Sequence, residues 1–136
     1  NLMKKNHYLN ILNFIHELVF LENRINLEPK DLKVCIKNIS DAHLVITNKI
    51  AGENRAKACA KEAISDNYFK NKSLKKTDNI VLNIIGGDDI KLYEIDEVAA
   101  NIKEHFKEDV NMIVANTIDN DLSNHMRIKM LVTQYK

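Results

Sequence analysis

The stretch "YLNILNFIHELVFL", Tyr8 to Leu21, constrains this chain more than any other. Ten of its fourteen residues are apolar, and at helical spacing they occupy most of the circumference instead of a single stripe. Such a helix needs burial on more than one side, and the rest of the chain can cover about one. The other side calls for a second domain beyond these residues, or else for an exposed patch used in dimerisation. The chain opens on Asn1 rather than Met, inside this helix, so the expectation is a piece cut from a longer protein.

The 136 residues are enough for one domain with a real core, since a chain of this size buries roughly two thirds of its unfolded surface. A net charge of +1 with 29% charged residues gives no electrostatic reason to expect nucleic acid or anionic lipid as a partner. No apolar run approaches the roughly 18 to 20 residues of a membrane span, and the N-terminus lacks the signal order of a secretory leader. The expected location is cytoplasmic. Cys35 and Cys59 fit no CxxC spacing and read as buried free thiols of a reducing compartment, with no metal site expected.

Beyond the first helix the pattern is α+β. "KDLKVCIKNI" reads as a short amphipathic helix and "HLVITNKI" as a strand, from its β-branched content. "GENRAKACAKEAI" is a helix with Ala56, Cys59, Ala60, Ala63 and Ile64 on one face. Residues 65–78, rich in Lys, read as a solvated connection. "NIVLNII" is a strand ended by Gly86 and Gly87, and "YEIDEVAANIKEHF" a helix burying Ile95, Val98, Ala99, Ile102 and Phe106. "VNMIVANTI" and "MRIKMLVTQ" complete four strands. The expected fold is a four-stranded mixed sheet with packed helices, preceded by a long central helix, divided as 1–24 and 25–136.

Most candidate sites fail on spacing. "GGDD" at 86–89 lacks the lysine and the GxxxxGK[ST] order of a phosphate loop and reads as a turn. "DNDLSN" at 119–124 starts like a calcium loop, but Asn124 stands where glycine is needed and Met130 where the bidentate Glu belongs. His7, His16, His43, His105 and His125 form no HExxH motif, and no Ser or Cys sits in a nucleophile elbow. What remains is "INLEPKDLK", residues 25–33, which sets Asn26, Glu28 and Asp31 around the only proline, just past the most apolar segment.

Four blocks in order carry a resemblance: "INLEPKDLK", "AGENRAKACAKEAIS", "VLNIIGGDDIKLYEIDEVAANI" and "VNMIVANTIDNDLSNHMRIKMLVTQ". Together they resemble the C-terminal half, with the central helix, of the tubulin/FtsZ family of bacterial division proteins. There the corresponding blocks run approximately INxDFADV, SGEDRA, NITGGxDLxLxEV and NIIFGxxIDxxLxxEVRVTVIATG. The resemblance spans essentially residues 2–136.

The resemblance implies a GTPase that binds GTP with Mg2+ in an N-terminal domain, absent here, and polymerises head to tail. The loop after the central helix then enters the neighbouring subunit's nucleotide site and positions the attacking water. Residue by residue, Asn26 falls on the loop's Asn, Glu28 on its first Asp and Asp31 on its second. A carboxylate suits that task, because phosphoryl transfer needs an oriented water more than covalent help. Asn6 falls where family members contact the guanine base, with Leu2 near the aromatic that packs on it. Implied partners are further copies of the chain, the N-terminal domain on the central helix, and membrane-tethering division proteins reached through a C-terminal tail. The implied place is the division site, and nucleic acid is not an expected partner.

The chain also departs from the family. Glu28 is longer than Asp, Pro29 and Lys30 replace Phe and Ala, "LENRIN" lacks Pro-Gly, and "DAHLVITNKIAG" lacks the glycines of that strand region. Pro29 stiffens the loop, and the added methylene of Glu28 displaces its carboxylate on a scale where roughly 1 Å matters. Other readings of the residues stay open. The acidic pair serves equally as a helix N-terminal cap. The parent protein is a hydrolysing polymer or a divergent structural or regulatory relative, and the architecture also suits a small-molecule-binding module.

Overall fold

The computed structural model describes residues 2–20, 27–71 and 74–136. Helix α1 (Leu2–Phe20) is followed by α2 (Pro29–Ile36), β1 (Ile39–Ile46), a two-residue β2 (Ile50–Ala51), α3 (Arg55–Ile64), β3 (Asn79–Gly86), α4 (Leu92–Lys103), β4 (Asn111–Ile118) and β5 (His125–Tyr135). The four long strands are those read from the sequence, and β2 adds a short arm to β5. The sheet is mixed, in the order β1-β5-β3-β4. β3 and β4 run parallel and the other pairs antiparallel. A parallel pair needs a crossover, which α4 supplies.

Residues alternate across the sheet with period two. Ile80, Leu82 and Ile84 of β3 and Ile128 and Met130 of β5 pack on one side with Cys59, Ala60 and Ala63 of α3 and Val98 and Ile102 of α4. Val81, Ala115 and Leu131 point the other way, into a smaller cluster with Phe14 and Leu18 of α1 and Leu32 and Cys35 of α2. The small side chains of α3 let it lie close to the sheet and to α4.

Helix α1 uses one face for this cluster, where Phe14 and Leu18 are buried and Ile11 and Ile15 partly so. Tyr8, Leu9, Leu12, Val19 and Phe20 are exposed, Phe20 at 72%. At 100° per residue these five fall within one arc opposite Phe14, so the two-sided apolarity becomes one covered face and one bare face. Among the described residues no helix is long and apolar enough to cross a membrane.

Several boundaries differ from the sequence reading: the strand read at 43–50 is β1 at Ile39–Ile46 with the short β2 after it, the helix read at 52–64 begins at Arg55, and the helix read at 93–106 runs from Leu92 to Lys103. The amphipathic pattern read for α2 runs to Ile39, but α2 ends at Ile36 and β1 begins at Ile39, with Asn38 between them at φ 56°. The chain leaves the helix at Lys37, whose backbone is extended (φ −84°, ψ 137°), and Asn38, which tolerates the left-handed conformation, turns it into β1. Residues 65–78 are also more than a solvated connection. Short 3-10 turns form at Asn67–Lys70 and Leu74–Lys76, Tyr68 and Phe69 pack against the larger core, and Lys75 Nζ donates to Phe106 O at 2.8 Å.

Gly86 ends β3 for a steric reason. A Cβ there would lie 2.2 Å from Ile90 Cδ1 and 3.0 Å from the His125 carbonyl oxygen, and the carbonyl belongs to paired backbone that cannot yield cheaply. Gly86→Ala is expected to lower the urea midpoint clearly, and Leu82→Ala, which empties a fully buried site on β3, to cost about 2–5 kcal/mol. Equilibrium urea unfolding of both variants checks this.

Candidate functional site

The acidic segment is held at both ends by apolar residues. Leu27 is half-buried against the α1 and α2 cluster, and Leu32 and Cys35 are buried in it. Between them Glu28, Pro29, Lys30 and Asp31 are exposed. Glu28 takes the N-cap position of α2 with extended backbone (φ −89°, ψ 140°), and Pro29 starts the helix, where its missing N–H costs nothing. The Asp31 N–H donates to Glu28 O at 3.0 Å, closing the first turn.

The capping role weighed for these carboxylates is not what Glu28 does. Its side chain makes no capping hydrogen bond and instead pairs with Lys30 Nζ at 3.1 Å, in an exposed contact of the kind worth at most about 1 kcal/mol. Asp31 lies in the first turn of α2, where the exposed N–H groups favour a negative charge. Asn26 lies outside the described residues. Asn6 is exposed on α1, fourteen residues before Phe20, about 21 Å along the axis at 1.5 Å per residue. The structure makes no contact between Asn6 and the Glu28–Asp31 turn among the described residues.

Below this turn the support is polar and specific. Thr133 Oγ1 donates to Cys35 O at 2.7 Å, and Asn111 Nδ2 donates to Asn79 Oδ1 at 3.1 Å. Burial, helped by the charge of Asp31, pushes the Cys35 thiol up to about 11, which makes it a core residue and not a nucleophile. Cys59 is also buried and free. At the far end of α1, Lys129 Nζ donates to both carboxylate oxygens of Glu17, at 2.9 and 3.1 Å. This pair fixes the last turns of α1 to β5.

One charged cluster had no local signal in the sequence. Arg55, at the start of α3, donates from Nε and Nη2 to the two Glu94 oxygens at 2.7 and 2.9 Å, and from Nη1 to Asp89 Oδ2 at 2.8 Å. The Arg55 and Glu94 side chains are each 7% exposed. Glu94 also accepts from the Lys91 N–H at 3.0 Å, and Asp89 from the Asn124 N–H at 3.2 Å. The three residues tie the starts of α3 and α4 to the turn after β3 and the start of β5. Their separations of 34 and 39 residues hide them from any periodicity; only their presence in the blocks "GENRA" and "GGDDIKLYEI" marks them.

The Arg55 guanidinium holds the carboxyls of Glu94 and Asp89 below their ordinary values of 4.5 and 3.8. A carboxyl depressed by folding adds stability above its unfolded value, and that contribution is lost as pH falls through the folded value. Arg55→Ala leaves Glu94 buried without its partner, so the expected loss at pH 7 is about 3–5 kcal/mol. At pH 4 the loss is expected to be smaller, because the orphaned Glu94 takes up a proton. Urea unfolding of both proteins at the two pH values checks the size and the sign.

Comparison with known proteins places this arrangement. The family model described as FtsZ family, C-terminal domain, matches residues 41–136. Cell division protein FtsZ of Wolbachia pipientis is 31% identical over 119 residues, covering 88% of this chain and 38% of the relative. FtsZ 1 of Rhizobium meliloti is 32% identical over 119 residues, covering 88% of this chain and 20% of the relative. The chain thus spans between a fifth and two fifths of these relatives. Among solved structures, an empty FtsZ dimer of M. jannaschii superimposes with a TM-score of 0.77 at 24% identity, over 88% of this chain and 34% of that one. A mutant FtsZ of the same organism reaches 0.81 at 22% identity, over 98% of this chain and 40% of that one. The two structures show the fold; the family match and the curated relatives show the descent. The chain belongs to the FtsZ family, of which it carries the C-terminal domain.

Proposed function

We propose that this chain is the polymerising and GTPase-activating part of a filament-forming cell division GTPase, and that its Glu28–Asp31 turn serves the nucleotide site of the adjacent subunit. The observation that carries the reading is the turn itself: two exposed carboxylates on a short helix start anchored by Leu27 and Leu32. Exposed carboxylates do not attract a triphosphate. They suit a water beside one, by accepting its proton or holding its orientation. GTP with Mg2+ would therefore be held by an N-terminal domain and by the neighbouring copy, with this chain facing the attacking water. Asp31 is the stronger base candidate, since Lys30 partly neutralises Glu28. Asn26 joins them by resemblance, and Asn6 is assigned to the guanine of the chain's own subunit.

Supporting this division of labour, α1 presents Leu9, Leu12 and Phe20 away from the sheet, as a helix shared with a second domain would. The division at 1–24 and 25–136 follows from that role. A head-to-tail contact is heterologous and generates filaments unless rotation closes a ring. The corresponding place of work is the cytoplasmic division site, with membrane tethers reached through a C-terminal tail.

A second reading has its own support. Pro29 and the Lys30–Glu28 pair stiffen and partly neutralise the turn, which favours a relative that polymerises, or regulates polymers, without efficient hydrolysis. GTP turnover by the longer protein containing this chain, measured against protein concentration, separates the two. Under the hydrolytic reading specific activity rises with concentration, and Asp31→Ala lowers it at least about 100-fold while nucleotide binding survives, with a smaller loss for Glu28→Ala. Turnover that is absent, or indifferent to both carboxylates, leaves the structural reading. The 136-residue chain alone is expected to show no turnover and, in excess, to shorten FtsZ polymers; unchanged polymer length and turnover would remove the capping role.

A further inference from the structure

Where the first half of α1 meets the sheet edge, two histidines face each other. His7 of α1 and His43 of β1 stack with ring centroids 5.4 Å apart and planes at 25°. The other face of His43 lies on Tyr68, at 4.2 Å and 3°. His43 Nε2–H donates to Asp66 Oδ1 at 3.0 Å, His7 Nε2–H donates to the Ala42 carbonyl at 3.2 Å, and Tyr68 O–H donates to Asp41 Oδ2 at 2.5 Å. Both imidazole contacts are satisfied by the neutral Nε2–H tautomer. Among the described residues, the groups facing His43 are His7 from α1, Asp41 from its own strand, and Asp66 and Tyr68 from the connection after α3.

We propose that the His7–His43–Tyr68 stack is a proton-sensitive clasp, which holds the first half of α1 on β1 while His43 is neutral and loosens it when His43 takes up a proton. Protonation puts a charge on a half-buried ring held between His7 and Tyr68, and the nearby His7 disfavours that charge. Asp66 and Asp41 favour the charged His43 and oppose the effect, but burial outweighs them, so that His43 is held below the ordinary imidazole value of 6.5. A basic group depressed by folding adds stability above its unfolded value and loses it as pH falls toward the folded one. The window therefore lies below about pH 6.5, within reach of ordinary proton shifts. Because Phe14, Leu18 and the Glu17–Lys129 pair hold the second half of α1 independently, the release is local.

The test is amide hydrogen exchange along the 136-residue chain at pH 7.5 and pH 5.5, corrected for intrinsic rates. Protection at residues 5–12 is expected to fall roughly threefold to tenfold relative to β3 at the lower pH, tenfold being what one pK unit supplies. His43→Phe keeps a ring on Tyr68 without a titrating group and is expected to abolish that difference. Asp66→Asn keeps an acceptor for the Tyr68 N–H but removes the charge that favours protonated His43, and is expected to move the loosening to lower pH. This variant decides the matter if a phenylalanine variant does not fold. Protection at residues 5–12 that is independent of pH, that changes equally in His43→Phe, or that loosens at the same or higher pH in Asp66→Asn overturns the proposal.

Discussion

Strand β3 is buried along its whole length, on both faces, and the remaining architecture follows from the need to cover it. One face requires the layer of α3 and α4, the other the layer of α1 and α2. Each layer then positions something besides apolar contacts. The α3–α4 layer brings Arg55 to Glu94 and Asp89. The opposite layer seats Leu27 and Leu32 so that Glu28 and Asp31 stand in solvent. The acidic turn is thus a by-product of covering the central strand, placed by burial instead of by its own polar bonds.

The long elements were legible because each is decided locally. β-branched runs bounded by glycine or polar residues gave the four strands, and the small face of residues 55–64 gave a helix that packs closely. What was not legible depends on pairing between distant segments. β2 is two residues long and exists only because β5 extends past β1 to meet it. The early stop of α2 turns on the backbone conformations of Lys37 and Asn38. The anchoring of residues 65–78 depends on Tyr68 and Phe69 reaching a core built from other elements.

The candidate site divides in the same way. Glu28 and Asp31 stood out because carboxylates around a lone proline are visible in one line of sequence, and the resemblance gave them a role. The capping alternative was equally reasonable there; the side-chain geometry of Glu28, turned to Lys30, is what removes it for that residue. Arg55 carries no local signal within its helix, and no helical period points to Glu94. Buried ion pairs between element starts carry their information in three dimensions, since each partner satisfies its local rules without the other.

The order of the strands has a consequence for how such a chain is made. β5 is the last of the described elements, yet it takes part in three of the four strand pairings, with β1, β2 and β3. Ile39 meets Tyr135, close to the greatest sequence separation the domain allows. While the chain emerges from the ribosome, β1 and β2 have no strand partner, and β3 with β4 offers only a parallel pair whose β3 edge is still uncovered. Contacts of such long range close slowly and leave unpaired edges exposed meanwhile. For this sheet the synthesis of β5 is the point at which separate pieces become one, and the interval before it is when the nascent chain is most open to pairing with another copy of itself.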